Sequence, residues 1–338
     1  MRALCRAVRL NGVMPAIALC LCACTGGGKP PQEADARFSF PPPTTEELNS
    51  IQATWAQRDL TPHDVELVKT DVSSPDYDVE IFKHRVGGQI HFGAVTIPKN
   101  AQPGAIPVVV HADGLSQQDP QMDLDKNIAM AGELLKAVVF AAPVFRGRTL
   151  IYKGVTYSAE GDFCDAYDGA ADDAIALLNV VEQEVPAANM DRVMARGGSR
   201  GGNTALLLAI RDPRIKIALA ISAPTDFNRV EVRVRYGSQY KCQFLDGKTP
   251  EQSRARILAS SPLYFPVLDT VREVFLFHGS VDSVVPVWNA VEMADRLLEQ
   301  GASVELKIFD GYGHEDLGSA PEFRTAQRAA FGDLFALQ

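Results

Sequence analysis

Apolar and polar positions change their rhythm along the chain, and each rhythm predicts a different element. Residues 64–71 ("DVELVKTD"), 77–84 ("YDVEIFKH") and 89–98 ("QIHFGAVTIP") alternate as half-buried strands do, and Gly87-Gly88 joins the last two as a hairpin. From residue 106 the chain carries a series of short strand-like runs. These are "IPVVVHADG" (106–114), "AVVFAAPVF" (137–145), "DRVMARG" (191–197), "IKIALAISA" (215–223), "VREVFLFHG" (271–279) and "SVELKIFDG" (303–311). The first, a β-branched run ending in a turn, is as expected of a strand buried on both faces, as in a parallel sheet, and the others continue the strand series.

Between them lie segments of helical period. Ala170, Ala174, Leu177, Leu178 and Val181 recur at that spacing within 165–184. Further helices are expected near 123–136, at 203–211 up to the stop at Asp212-Pro213, near 286–300 and at 321–337. Strands alternating with helices require right-handed crossovers, so the expected fold class is α/β. It has a mostly parallel central sheet with helices on both faces and an antiparallel hairpin at its N-terminal side. Residues 225–262 are too long for a simple connection and read as a lid-like insertion above the strand ends.

Composition narrows the class. The chain is 46% apolar and 22% charged over 338 residues, which suits one large core. Its net charge of −9 argues against a nucleic-acid partner. Residues 1–24 carry Arg2, Arg6 and Arg9 ahead of the short apolar run "VMPAIALCLCAC", and read as an export signal. The ending "LCAC" resembles a bacterial lipobox, with Cys24 as the lipidated residue; Cys22 departs from the usual small or hydroxyl residue, so plain cleavage is the alternative. Contact with a membrane is expected through that lipid only, and Thr25 after the cysteine points to the outer membrane; without lipid the protein would be periplasmic or secreted. Residues 25–43 are rich in Gly and Pro and read as a flexible tether to a domain spanning 44–338. Of the six cysteines only Cys164 and Cys242 remain in that domain. An exported pair can bridge or stay as two separate thiols.

The candidate chemistry sits in "MARGGSRGGNTALLLA". Ser199 stands at the end of a strand and the start of a helix, flanked by Gly197, Gly198, Gly201 and Gly202. No Gly-Lys-Ser/Thr ending follows, so a phosphate loop is excluded, and the glycine spacing does not make a dinucleotide fingerprint. G-x-S-x-G does fit, the strained strand–turn–helix corner that exposes a nucleophilic serine. A serine needs a base, and the base needs a carboxylate, in the chain order Ser, Asp, His. His314 in "DGYGHED" follows the last strand, whereas His84 and His91 precede the serine and His278 is expected to pack against the sheet. Asp282 is the preferred acid and Asp226 its competitor. The Arg200 N–H is one expected oxyanion donor, with the N–H of Ala112 or Asp113 as the second. No metal or organic cofactor is implied.

These motifs together resemble the catalytic domain of the prolyl oligopeptidase family, within the α/β-hydrolase superfamily. "GGSRGG" is similar to its nucleophile elbow, "HGSVDSVVP" to its acid loop and "GYGHE" to its histidine loop. "FRGR" (145–148), "DPRIKIALAISAPTDF" and "SSPLYF" (260–265) match further stretches, so the resemblance covers about residues 64–336. It implies an α/β-hydrolase fold and a serine peptidase acting on a small peptide. A carboxylesterase of the same fold, and a non-catalytic binding lipoprotein, are the alternatives. Two departures stand out. The chain has no room for the β-propeller of larger members, and the loop often written His-Gly-Gly-Pro in relatives is His111-Ala112-Asp113-Gly114. In such a fold Cys164 and Cys242 both lie above the strand ends, where a bridge would tie the lid to the rim of the site.

Overall fold

The computed structural model describes residues 37–114 and 121–337. The export signal, Cys24 and most of the expected tether lie outside the described residues. Helix α1 (Thr45–Ala56) precedes an antiparallel meander of β1 (His63–Asp71), β2 (Tyr77–Val86) and β3 (Gln89–Pro98). There follow β4 (Ile106–Ala112), β5 (Gln121–Asp123), α2 (Leu124–Ala131) and β6 (Val139–Val144). A small hairpin of β7 (Thr149–Tyr152) and β8 (Val155–Ser158) precedes α3 (Asp168–Glu184), β9 (Ala188–Gly198), α4 (Arg200–Arg211) and β10 (Ile215–Ile221). The chain closes with α5 (Val230–Tyr240), α6 (Pro250–Ala259), β11 (Glu273–Gly279), α7 (Trp288–Glu299), β12 (Val304–Phe309) and α8 (Phe323–Ala336).

The main sheet is ordered β1-β2-β3-β6-β4-β9-β10-β11-β12 among the described residues. Every neighbour from β6 to β12 runs parallel. This is the mostly parallel α/β architecture that the alternation of strands and helices predicts, and the α/β-hydrolase fold that the resemblance implies. The period of two explains the layers. Val108, Val110, Ala218 and Ala220 face one core with Leu177 of α3, Leu206 of α4 and Met293 of α7. Val109, Ile217 and Leu219 face the other, with Leu124 of α2 and Leu334 of α8.

Helix α1 and the hairpin β7–β8 have no counterpart in the sequence reading. Helix α1 buries only Ile51 and Trp55, which leaves its apolar stripe thin, although a capping box (Thr44 with Glu47) marks its start. The tether expected over 25–43 is also too long. Ser39 N–H donates to Asn228 O (2.6 Å), Val230 N–H to Arg37 O (2.8 Å), and Arg254 Nη1 to Pro41 O (3.0 Å). Residues 37–43 therefore dock on the insertion, through backbone bonds of Arg37 and Ser39 and through the Pro41 carbonyl.

The meander holds a buried pair, His84 opposite His91, with rings stacked 5.8 Å apart. Burial, with neighbouring His91 adding to it, pushes His84 down to about 4, and burial pushes His111 down to about 3. Both are neutral in the native state at pH 7, whereas the unfolded chain takes up protons near pH 6.5. Their contribution is therefore constant above about pH 6.5, and stability is lost as pH falls toward 4, by up to ~3 kcal/mol per histidine. Urea midpoints at pH 7.5 and 4.5 should show that loss, and His84→Leu should reduce it. An unchanged pH difference in the variant would reject the assignment.

Candidate active site

Parallel pairing aligns the C-terminal ends of β9, β10, β11 and β12 along one edge: Gly198 pairs with Ile221, Ile221 with Phe277, and Gly279 with Phe309. Ser199, Asp282 and His314 all follow strands that end there. Ser199 has φ 54° and ψ −122°, a left-handed conformation strained for a residue with a side chain. Its N–H donates to Ile221 O (2.8 Å), and its carbonyl accepts from Gly202 and Asn203 as α4 begins. The turn closes so tightly that a Cβ on Gly201 would lie 1.9 Å from Ala112 O, and one on Gly197 2.5 Å from it. Only glycine fits at either position.

Asp282 is a saturated acceptor. Its Oδ1 accepts from Val284 N–H (2.9 Å) and Val285 N–H (2.8 Å), and its Oδ2 from His314 Nδ1 at 2.7 Å. Burial opposes its charge, but hydrogen bonds from His278, His314 and the Val285 amide outweigh that and hold the carboxyl well below the usual range. With Nδ1–H given to Asp282, His314 presents Nε2 as the free acceptor. Among the described residues no hydrogen bond joins Ser199 Oγ to His314. Asp226 is engaged elsewhere: it accepts from Tyr264 Oη (2.8 Å), Asn228 N–H (2.8 Å) and Arg229 Nε (3.0 Å). The structure thus brings Asp282, and not Asp226, to His314.

His278 does more than pack against the sheet. It is fully buried, and its Nε2 lies 2.8 Å from Val285 O and 3.4 Å from Asp282 Oδ2. No sequence signal marked this pair, because Asp282 and Val285 come near His278 only once the loop closes.

Of the second-donor candidates, Ala112 is the last residue of β4, paired with Gly197 of β9 and with its carbonyl against Gly201, and Asp113 follows the strand end. The Asp113 carboxylate sits 4.0 Å from Arg148 Nη1, so a cation faces the charge.

The insertion 225–262 folds as α5 and α6 joined by the turn Lys241–Leu245. Val232, Tyr240 and Phe244 pack on Tyr167, Phe227 and Ile257. Arg235 donates to Ser283 O, and Tyr236 of the same helix packs on Phe227, so α5 leans on the loop that carries Asp282. Cys164 and Cys242 form a disulfide with Cα atoms 5.4 Å apart. Beside it Ala166 N–H donates to Gln243 Oε1 (2.8 Å), and Arg256 Nη2 to Cys164 O (2.8 Å). The bridge spans 78 positions, for which chain entropy gives about 4 kcal/mol as an upper value. Replacing both cysteines with serine should therefore lower unfolding stability by about 2–4 kcal/mol in urea titration. A loss under ~0.5 kcal/mol would show that the polar contacts alone hold the insertion.

A cavity of about 740 Å³ lies between α1, α6 and the start of α3, lined by Arg58, Arg146, Asp165, Asp168, Lys248 and Arg256 among others. It includes none of Ser199, Asp282 and His314, and its arginines are paired with aspartates.

Residues 129–336 match the model of the prolyl oligopeptidase family. The chain belongs to that family. It is a serine hydrolase, and Ser199, Asp282 and His314 all fall within the matched region. No curated protein matches the chain in sequence. Among solved structures, acetyl xylan esterase 1 from Thermoanaerobacterium sp. is 17% identical with a TM-score of 0.61, over 91% of this chain and 99% of that one. The acylaminoacyl peptidase of Pyrococcus horikoshii is 17% identical with a TM-score of 0.58, over 77% of this chain and 41% of the peptidase. A putative dipeptidyl aminopeptidase IV from Bacteroides ovatus is 14% identical with a TM-score of 0.59, over 78% of this chain and 36% of the other. At these identities the three share the fold.

Proposed function

We propose that the protein hydrolyses short peptides by transferring their acyl group first to Ser199 and then to water. The carrying observation is the Asp282–His314 contact at 2.7 Å on the same sheet edge as a strained Ser199. Ser199 Oγ attacks the carbonyl carbon, and His314 Nε2 takes its proton. Asp282 holds the Nδ1–H tautomer and stabilises the imidazolium. The oxyanion is received by the N–H groups of Arg200 and Asp113. His314 then protonates the leaving amine, an acyl-enzyme remains, and water activated by His314 releases the acid.

Family membership favours the peptide substrate. A second reading, a carboxylesterase, is supported by the match to an acetyl xylan esterase along 99% of that chain, against 41% for a peptidase. A paired screen decides: short peptide amides against acyl esters, with Ser199→Ala as the blank. Turnover of esters alone would reject the peptidase reading. No turnover of either, with no labelling of Ser199 by a fluorophosphonate, would leave a binding protein.

The signal-like pattern of residues 1–24 supports a place outside the cytoplasm, anchored to the outer membrane by a lipid on Cys24, or periplasmic or secreted without it. Cys24→Ala should yield unprocessed or soluble protein. A mature N-terminus without lipid by mass spectrometry would reject the anchor.

A further inference from the structure

The residue after the nucleophile carries an arginine side chain that the acyl-transfer scheme leaves unused. Arg200 is 1% exposed. Its Nε donates to Asp113 O (3.1 Å), and its Nη2 to both Asp113 O (2.8 Å) and Gly114 O (2.8 Å). The guanidinium carbon stacks 4.3 Å from the Phe145 ring centroid. Among the described residues no carboxylate oxygen lies within 4.0 Å of it; the nearby Asp113 carboxylate faces Arg148 instead. Arg148, itself buried, donates to Gly114 O (2.7 Å) from another direction.

Burying a guanidinium against carbonyls and a ring is costly, since desolvation outweighs what neutral acceptors return. Burial accordingly pushes Arg200 down from the usual arginine range. An apolar side chain could fill the volume at lower cost. What only the planar guanidinium supplies is a rigid fork that seizes consecutive peptide carbonyls.

Those carbonyls belong to the loop expected to face the oxyanion. The elbow glycines set the Ala112 peptide, and the fork sets the next two. Arg200 thereby joins both halves of the oxyanion site: its N–H is one donor, and its side chain orients the loop carrying the other. We infer that the Arg200 side chain is a positioning residue that preforms the oxyanion site by clamping the carbonyls of Asp113 and Gly114. This rests on the reading of Ser199 as nucleophile.

The test uses the full-length protein and a neutral nitrophenyl ester, with phenylboronic acid as a reversible tetrahedral mimic and a fluorophosphonate as covalent label. Arg200→Met should lower kcat about 10²-fold, as loss of an oxyanion donor does, with KM within about threefold. Boronate affinity should fall by the same factor as kcat/KM. Arg200→Lys keeps the charge without the fork and should fall in between. Circular dichroism verifies folding. Should Arg200→Met fail to fold, the lysine variant decides: a folded Arg200→Lys with wild-type kcat and boronate affinity overturns the inference, and a loss of tenfold or more in both upholds it. A change in KM alone in either variant also overturns it. Equal labelling rates of wild type and variants at Ser199 would reject the clamp while sparing the nucleophile. Absence of label on wild-type Ser199 would remove the reading of that serine, and this inference with it.

Discussion

Ser199→Ala and His314→Ala should each lower kcat by about 10⁴–10⁶, and the double variant should lose little more. The non-additivity follows from the chemistry. Without Oγ the imidazole has no proton to take, and without the imidazole the hydroxyl stays a poor nucleophile. Residual turnover then comes from binding and from the oxyanion donors, which neither substitution touches. Both positions accept alanine structurally. Ala at 199 keeps the left-handed backbone, and removing the His314 ring leaves Asp282 its bonds from Val284 and Val285. Steady-state kinetics on whichever substrate class the paired screen identifies, with folding verified by circular dichroism, measures the loss. Additive losses, or a single variant above about 10% of wild-type kcat, would show that the two residues do not act as one unit.

Much of the fold was legible because burial on both faces leaves an unmistakable trace. The strands at 106–112, 139–144, 215–221 and 273–279 are apolar at nearly every position, His111, Lys216, Glu273 and His278 being the exceptions. Elements that touch the core with one or two residues left no such trace. Helix α1 and strands β7 and β8 went unread for that reason. The elbow was legible through sterics, since two glycines are forced by an oxygen less than 3 Å from any Cβ. The Arg200 clamp was not. A charged residue in the first turn of a helix reads as solvated by default, and only the return of residues 113 and 114 over the elbow buries it. His278 shows the same limit, because its partners Asp282 and Val285 come near only after the loop closes.

Asp282→Asn should lower kcat by about 10⁴, while Asp226→Asn should leave it within about tenfold. The direction at Asp282 follows from its three hydrogen-bond donors, Val284, Val285 and His314. Val284 and Val285 each aim a backbone N–H at Oδ1, so the oxygen of an asparagine must stay there. Its NH₂ group then takes the place of Oδ2 and faces His314 Nδ1. Two donors cannot share one bond, so the imidazole moves its proton to Nε2 and can no longer accept from Ser199. The substitution is nearly isosteric, which separates this effect from unfolding. At Asp226 the carboxylate binds Arg229, Tyr264 and Asn228 at the base of the insertion, so its loss should appear in thermal stability. Measuring kcat and melting temperature for both variants separates the roles. A crippled Asp226→Asn beside a mildly affected Asp282→Asn would reverse the assignment, and would mean that the insertion moves Asp226 to His314 once substrate is bound.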